Sequence, residues 1–136
     1  MNEESSPGPQ GPLAASLRLF ADLDAPGQAR VFVRDFCSAS GFPAEFVDTA
    51  VLLVNELVKN AVVHAGAGPT VEIRRGEAGL HFAVYDESPI LPSQRLPNLE
   101  AETGRGLILL DRLANRWGVA AHGGGKCIWF ELFVVG

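Results

Sequence analysis

What this chain has little of narrows its class before any motif is read. It carries two cysteines, Cys37 and Cys127, too few for a disulfide framework. No apolar run approaches the ~20 residues that a membrane-spanning helix requires. There is no surplus of positive charge: the formal net charge is -5, with both signs interspersed. Nonspecific nucleic-acid binding needs a basic face, so direct binding of nucleic acid is not expected. The N-terminus lacks the basic region and apolar core of a signal peptide. Reduced thiols and a cytoplasmic location are therefore the expectation.

What is present suits one domain. The 136 residues are 47% hydrophobic and 20% charged, enough to bury a single core. Residues 1–12, MNEESSPGPQGP, are polar and rich in Pro, Gly and Ser, and read as a disordered tail. Residues 13–136 form the domain. Ser16-Leu17-Arg18-Leu19-Phe20 alternates as an edge strand does. Asp24 and Pro26 open a helix whose apolar spacing runs from Gln28 to Ala39 and stops at Gly41. Pro43 stands in the first turn of a second helix, which runs to about Ala65 and ends at Gly66.

Two strands follow, Thr70 to Arg74 and Leu80 to Asp86, with Val71, Ile73, Phe82 and Val84 on one side. Glu87 to Gly106 contains three prolines and no sustained period, so it reads as a long loop of the functional kind. A helix from about Leu107 to Arg116 and a hairpin around Gly123-Gly124-Gly125 close the chain. This order predicts an α/β fold: a two-layer sandwich with a mixed, mostly antiparallel sheet and helices on one face.

The second helix carries the first functional signal, NELVKNAVVHAG from Asn55 to Gly66. At ~100° per residue, Val47, Ala50, Val51, Val54, Leu57, Val58 and Ala61 form a broad apolar face. Asp48, Asn55 and Lys59 lie opposite, on the solvated side. Glu56 and Asn60, with His64 one turn on, fall along the border, where the wall of a pocket would lie. Half-buried, hydrogen-bonded edge residues are one reading. A metal–nucleotide site is the other: magnesium takes one or two hard protein oxygens beside substrate phosphates, and an Asn carbonyl supplies one without added charge. A carboxylate one turn earlier can accept a proton from an attacking nucleophile.

Two further stretches bear on the choice. Asp86 ends a strand, where a carboxylate can accept a hydrogen bond from a purine amino group or simply cap the loop. Gly104-Arg105-Gly106 immediately precedes a helix, where small residues and free amides can approach phosphates or merely hinge the chain.

Taken in order, ELVKNAVVHA, DESP, a long loop and GRGL resemble the N box and the two glycine boxes of the GHKL superfamily of ATP-binding domains. The short chain with DESPILP, TGRGL and GKCIWFEL (Gly125 to Leu132) most resembles the anti-sigma-factor serine/threonine kinases of the small actinobacterial type. The resemblance spans about Leu13 to Leu132 and implies the GHKL (Bergerat) fold, with ATP and Mg2+ as cofactors. It implies Glu56 as general base, Asn60 as the magnesium ligand and Asp86 as the reader of the adenine amino group. Gly104, Arg105, Gly106 and Leu107 would hold the phosphates, and Glu87 to Thr103 would form a lid. His64 fits the N-box pattern, but a histidine near a helix C-terminus also suits the helix dipole.

The expected function is phosphorylation of a STAS-type anti-sigma-factor antagonist, controlling a sigma factor by partner switching, with a homodimer as a possible state. The first glycine box departs from the usual DxGxG: Asp86-Glu87-Ser88-Pro89-Ile90 stiffens the loop. Cys127 stands where many relatives carry Thr, and a thiol is a poorer hydrogen-bonding group. These departures leave room for a non-catalytic module that switches a partner with nucleotide. A detached histidine-kinase domain fits less well, because no phosphoacceptor histidine on a dimerisation hairpin is present. Trp117 and Trp129 read as core anchors, and Lys59 and Arg95 as basic residues near the motifs.

Overall fold

Pro26 and Pro43 each stand where a helix begins, and each helix starts there. Helix α1 spans Ala25–Ala39 with Asp24 as N-cap and proline in its first turn. The missing N–H of that proline costs nothing at a position that has no intrahelical partner. Ser40 ends the helix, its N–H donating to the Phe36 carbonyl while the Gly41 N–H donates to the Ser38 carbonyl, and Gly41 turns the chain with φ +82°, a conformation that favours glycine. Helix α2 spans Ala44–Ala65. The computed structural model describes residues 3–4, 11–65, 68–87 and 106–134; for Glu3, Glu4, His64 and Ala65 it describes the backbone alone.

The strands are β1 (Glu3–Glu4), β2 (Leu13–Arg18), β3 (Thr70–Arg75), β4 (Gly79–Asp86), β5 (Arg116–His122) and β6 (Gly125–Phe133). They form one sheet in the order β1-β5-β6-β4-β3-β2. The five longer strands pair antiparallel, and the two-residue β1 lies parallel to β5. Residues 106–113 are helical (α3). This is the α/β sandwich with a mostly antiparallel sheet that the order of elements predicts.

Alternation along the strands divides the sheet into two faces. Val71 and Ile73 of β3, Leu80, Phe82 and Val84 of β4, and Ile128, Phe130 and Leu132 of β6 pack with the buried faces of α1 and α2. Phe82 and Phe130 stack with centroids 4.9 Å apart; at such a buried site, truncation of either to alanine costs about 3–5 kcal/mol. Leu110 fastens α3 to the same core. The opposite face carries a smaller cluster of Ala83, Cys127 and Trp129, flanked by Tyr85.

Two boundaries differ from the sequence expectation, each for a tertiary reason. The edge strand begins at Leu13, because its pairing extends to Arg74 through an irregularity between Leu13 and Ala15. Helix α3 stops three residues early. Asn115 leaves it to join the sheet: its N–H donates to the Glu131 carbonyl and its side-chain oxygen accepts from the Phe133 N–H. Trp117 anchors the main core as expected, but Trp129 belongs to the cluster on the opposite face, with the Arg116 guanidinium 5.9 Å from its ring centroid. The closing turn is tight, with Gly123 at φ +53° and Gly124 at φ +90°, the pair of positive values that a two-residue hairpin needs.

Candidate functional site

Glu56 and Asn60 lie one turn apart on α2 and both are buried, at 3% and 6% exposure. The apolar face of α2 sets this. With Leu57, Val58 and Ala61 held in the core, the adjoining residues fall where the helix meets its cover. Asn60 Oδ1 has no hydrogen-bond partner among the described residues although it is buried. An orphaned buried carbonyl is costly, and a hard cation or its water shell would satisfy it. Asn60 therefore fits a magnesium ligand. Among the described residues no cluster of three or more His, Cys, Asp or Glu side chains could hold a metal by itself.

Glu56 is held by neighbours. The Arg30 guanidinium of α1 donates to Asn55 Oδ1 at 2.7 Å. This fixes the amide so that Asn55 Nδ2 donates to Glu56 Oε2 at 3.4 Å. Lys59 Nζ stands 4.0 Å from the same oxygen, with its side chain 37% exposed. Asn55 and Lys59, expected on the solvated side, thus flank the carboxylate instead of pointing away from it.

Gly106, at the start of α3, closes on the same pair. A Cβ there would lie 3.1 Å from Asn60 Nδ2 and 3.8 Å from Glu56 Cβ. The fold therefore brings Gly106 against the polar border of α2, 46 residues beyond Asn60 in sequence. Leu107 is half-buried and packs on the core. Gly104 and Arg105 lie outside the described residues, as do Arg95 and most of the expected lid; His64 lies outside those with described side chains.

Asp86 ends β4, buried at 8% exposure. Because α2 ends five residues before Thr70, and Thr70 pairs with Tyr85, the C-terminal half of α2 and the Asp86 end of β4 belong to the same end of the sandwich. Sequence reasoning missed the partner of Asp86. Lys126, 1% exposed, lies across the β4–β6 ladder with Nζ 3.0 Å from Asp86 Oδ1. The only sequence signal was its place within GKCIWFEL.

Cys127 pairs with Tyr85 rather than with Asp86. Its thiol therefore faces the smaller cluster, away from Asp86 and Lys126. Burial pushes that thiol up to about 12, a hydrogen bond from Tyr85 opposing the shift; the thiol of Cys37 is pushed up to about 11 by burial. On the same face, His81 Nε2 lies 2.9 Å from Glu131 Oε2, and Arg116 lies 3.5 Å from Glu131 Oε1.

A buried Asn carbonyl, a carboxylate one turn away, a glycine close to both and a strand-end aspartate make up the candidate site. Comparisons with known proteins give the family and the fold. Residues 19–132 match the family model of the histidine kinase-like ATPase domain, and the chain belongs to that family, an ATP-binding domain of the GHKL type. Among solved structures, it is similar to the RsbU and RsbW domains of Rv1364c from Mycobacterium tuberculosis, with a TM-score of 0.67 and 19% identity. The match covers 90% of this chain and 34% of that one, so the chain spans about a third of its structural neighbour's length. At this identity the likeness is one of fold. No curated protein matches the chain. No helix among the described residues is long and apolar enough to cross a membrane.

Proposed function

We propose that the chain is an ATP-dependent protein serine/threonine kinase of the anti-sigma-factor type, acting on a STAS-type antagonist and binding a sigma factor. The observation that carries this reading is the orphaned Asn60 carbonyl one helical turn from Glu56, with Gly106 against both. Partner switching draws support from the fold shared with the RsbU and RsbW domains of Rv1364c. Nothing in the apolar spacing of α2 requires polar residues at 56 and 60, and an unmatched carbonyl weakens a core that serves packing alone.

In this reading Asn60 holds Mg2+, which when bound would neutralise charge on the nucleotide phosphates. Glu56 accepts the proton of the protein hydroxyl as its oxygen bonds to the γ-phosphorus and the bridge to ADP breaks. The Asn55 amide and Lys59 keep the Glu56 carboxylate oriented toward that proton. Asp86 would orient the base from the end of β4, and the glycine motif that ends in Gly106 and Leu107 would serve the phosphates. Phosphoryl transfer asks mainly for positioning and charge stabilisation, which such an arrangement supplies.

Incubation with γ-labelled ATP, Mg2+ and the STAS-type proteins of the same genome tests it. Label on a serine or threonine, lost in Glu56→Ala and Asn60→Ala, is expected. Nucleotide binding without transfer to any candidate would favour a second reading, a nucleotide-switched binding module. The stiffened Asp86-Glu87-Ser88-Pro89 motif is the feature that favours it.

A further inference from the structure

Asp86 and Lys126 are cross-strand partners at the end of the β4–β6 ladder, 3.0 Å apart and almost fully buried. A buried ion pair is poor evidence of stabilisation, because desolvation of both charges offsets their attraction. Lysine is also rarely so enclosed. Strand alternation sets both side chains on the face of Val84 and Ile128, toward the helices, and their end of the sheet is shared with the C-terminal half of α2. The close approach needed there is visible at Gly125, where any Cβ would collide with the Asp86 carbonyl.

We propose that Lys126 is a second base-reading residue, so that the site recognises adenine by a carboxylate–ammonium pair. Asp86 accepts from the exocyclic amino group while the Lys126 ammonium donates to the adjacent ring nitrogen N1. The inference rests on the nucleotide-binding reading above and deepens it. Adenine presents a donor and an acceptor side by side, and an acceptor and a donor side by side are their complement. Guanine in the same pose sets its carbonyl oxygen against the carboxylate and its ring N–H against the ammonium. Both contacts are then repulsive, and mismatched buried polar groups discriminate strongly. Lys126 thus takes the donor role that a hydroxyl at position 127 could not fill here, since position 127 faces the other side of the sheet.

Calorimetric titration of the full chain with Mg2+ and ATP, 1-deaza-ATP, 7-deaza-ATP or GTP provides the test. 1-Deaza-ATP lacks the acceptor that Lys126 reads, and wild type is expected to bind it about 10–100-fold more weakly than ATP or 7-deaza-ATP, the range for a hydrogen bond to a charged donor. GTP is expected to bind more weakly still. In Lys126→Met the ratio between ATP and 1-deaza-ATP should collapse toward one. Were Lys126 a structural residue only, the variant would weaken all nucleotides alike and leave the ratio intact, which overturns the proposal. If Lys126→Met fails to fold, the uncharged pair Asp86→Asn with Lys126→Met is titrated instead, and the ratio should again collapse. Wild type binding ATP and both deaza analogues equally would also overturn the proposal. Wild type binding no adenine nucleotide at all would instead sink the nucleotide reading on which it rests.

Discussion

Gly106 lies so near Asn60 that a Cβ on it would stand 3.1 Å from the amide nitrogen. Contact at that distance obliges the Asn60 amide to shift by a few tenths of an ångström. Gly106→Ala is therefore expected to weaken Mg·ATP binding by about fivefold, the cost of moving one side chain off its preferred rotamer being about 1 kcal/mol. Its effect on stability should be small, because alanine favours the start of α3 by up to about 1 kcal/mol over glycine. Calorimetry and thermal melting of the same variant separate the two; a large loss of stability with unchanged affinity would contradict the placement of Gly106 in the site.

The chain of contacts from Arg30 through Asn55 to Glu56 predicts a different signature. Asn55→Ala removes the amide that donates to the Glu56 carboxylate but leaves Asn60 untouched. Phosphoryl transfer should fall several-fold while nucleotide affinity stays within about twofold, since one long hydrogen bond to a carboxylate contributes about 1–2 kcal/mol. Arg30→Ala should shift transfer in the same direction, by less. Steady-state kinetics with separate kcat and KM values check this; equal loss in both variants of affinity alone would refute it.

The two buried thiols set the alkaline limb of stability. Their values rise from 9.0 to about 11 for Cys37 and about 12 for Cys127 on folding, and burial raises the Tyr85 phenol in the same direction. A raised value means that the folded state keeps its proton longer, so this stability is complete below pH 9 and is lost as pH rises beyond it. Denaturant midpoints should fall above about pH 9, and Cys37→Ala should flatten part of that fall. Native protein should resist thiol reagents at neutral pH, with both cysteines reacting once unfolded.

On the acid side, His81 is held below its ordinary value of 6.5. Burial is the largest cause; the Glu131 carboxylate opposes it, and the positive charges of Arg116 and Arg74 reinforce it. A depressed histidine contributes stability above the unfolded value that is lost as pH falls through the folded one. Thermal midpoints should therefore decline below about pH 6.5, and less steeply in His81→Gln, which keeps a donor toward Glu131. A steeper decline in the variant would reverse the sign.

Much of the candidate site could be read from the sequence where a local period fixes geometry. Glu56 and Asn60 recur at helical spacing beside an unbroken apolar face, so their place on the border followed from the wheel. Asp86 was legible as a strand end. Lys126 was not, because its relation to Asp86 depends on the β4–β6 register, and the register depends on how the closing hairpin meets β4. The same register turns Cys127 to the other face, which no local period reveals. Asn115 likewise ends α3 early through two bonds to β6, a tertiary choice that overrides the helical pattern running on to Arg116.

Titration of the full chain with ATP, in the presence and absence of Mg2+, tests the central claim most directly. Wild type is expected to bind one ATP per chain, more tightly with Mg2+. Asn60→Ala should lose the magnesium-dependent gain, because the orphaned Oδ1 is the atom assigned to the ion. Absence of ATP binding by the folded wild type, or an undiminished magnesium effect in Asn60→Ala, would contradict it.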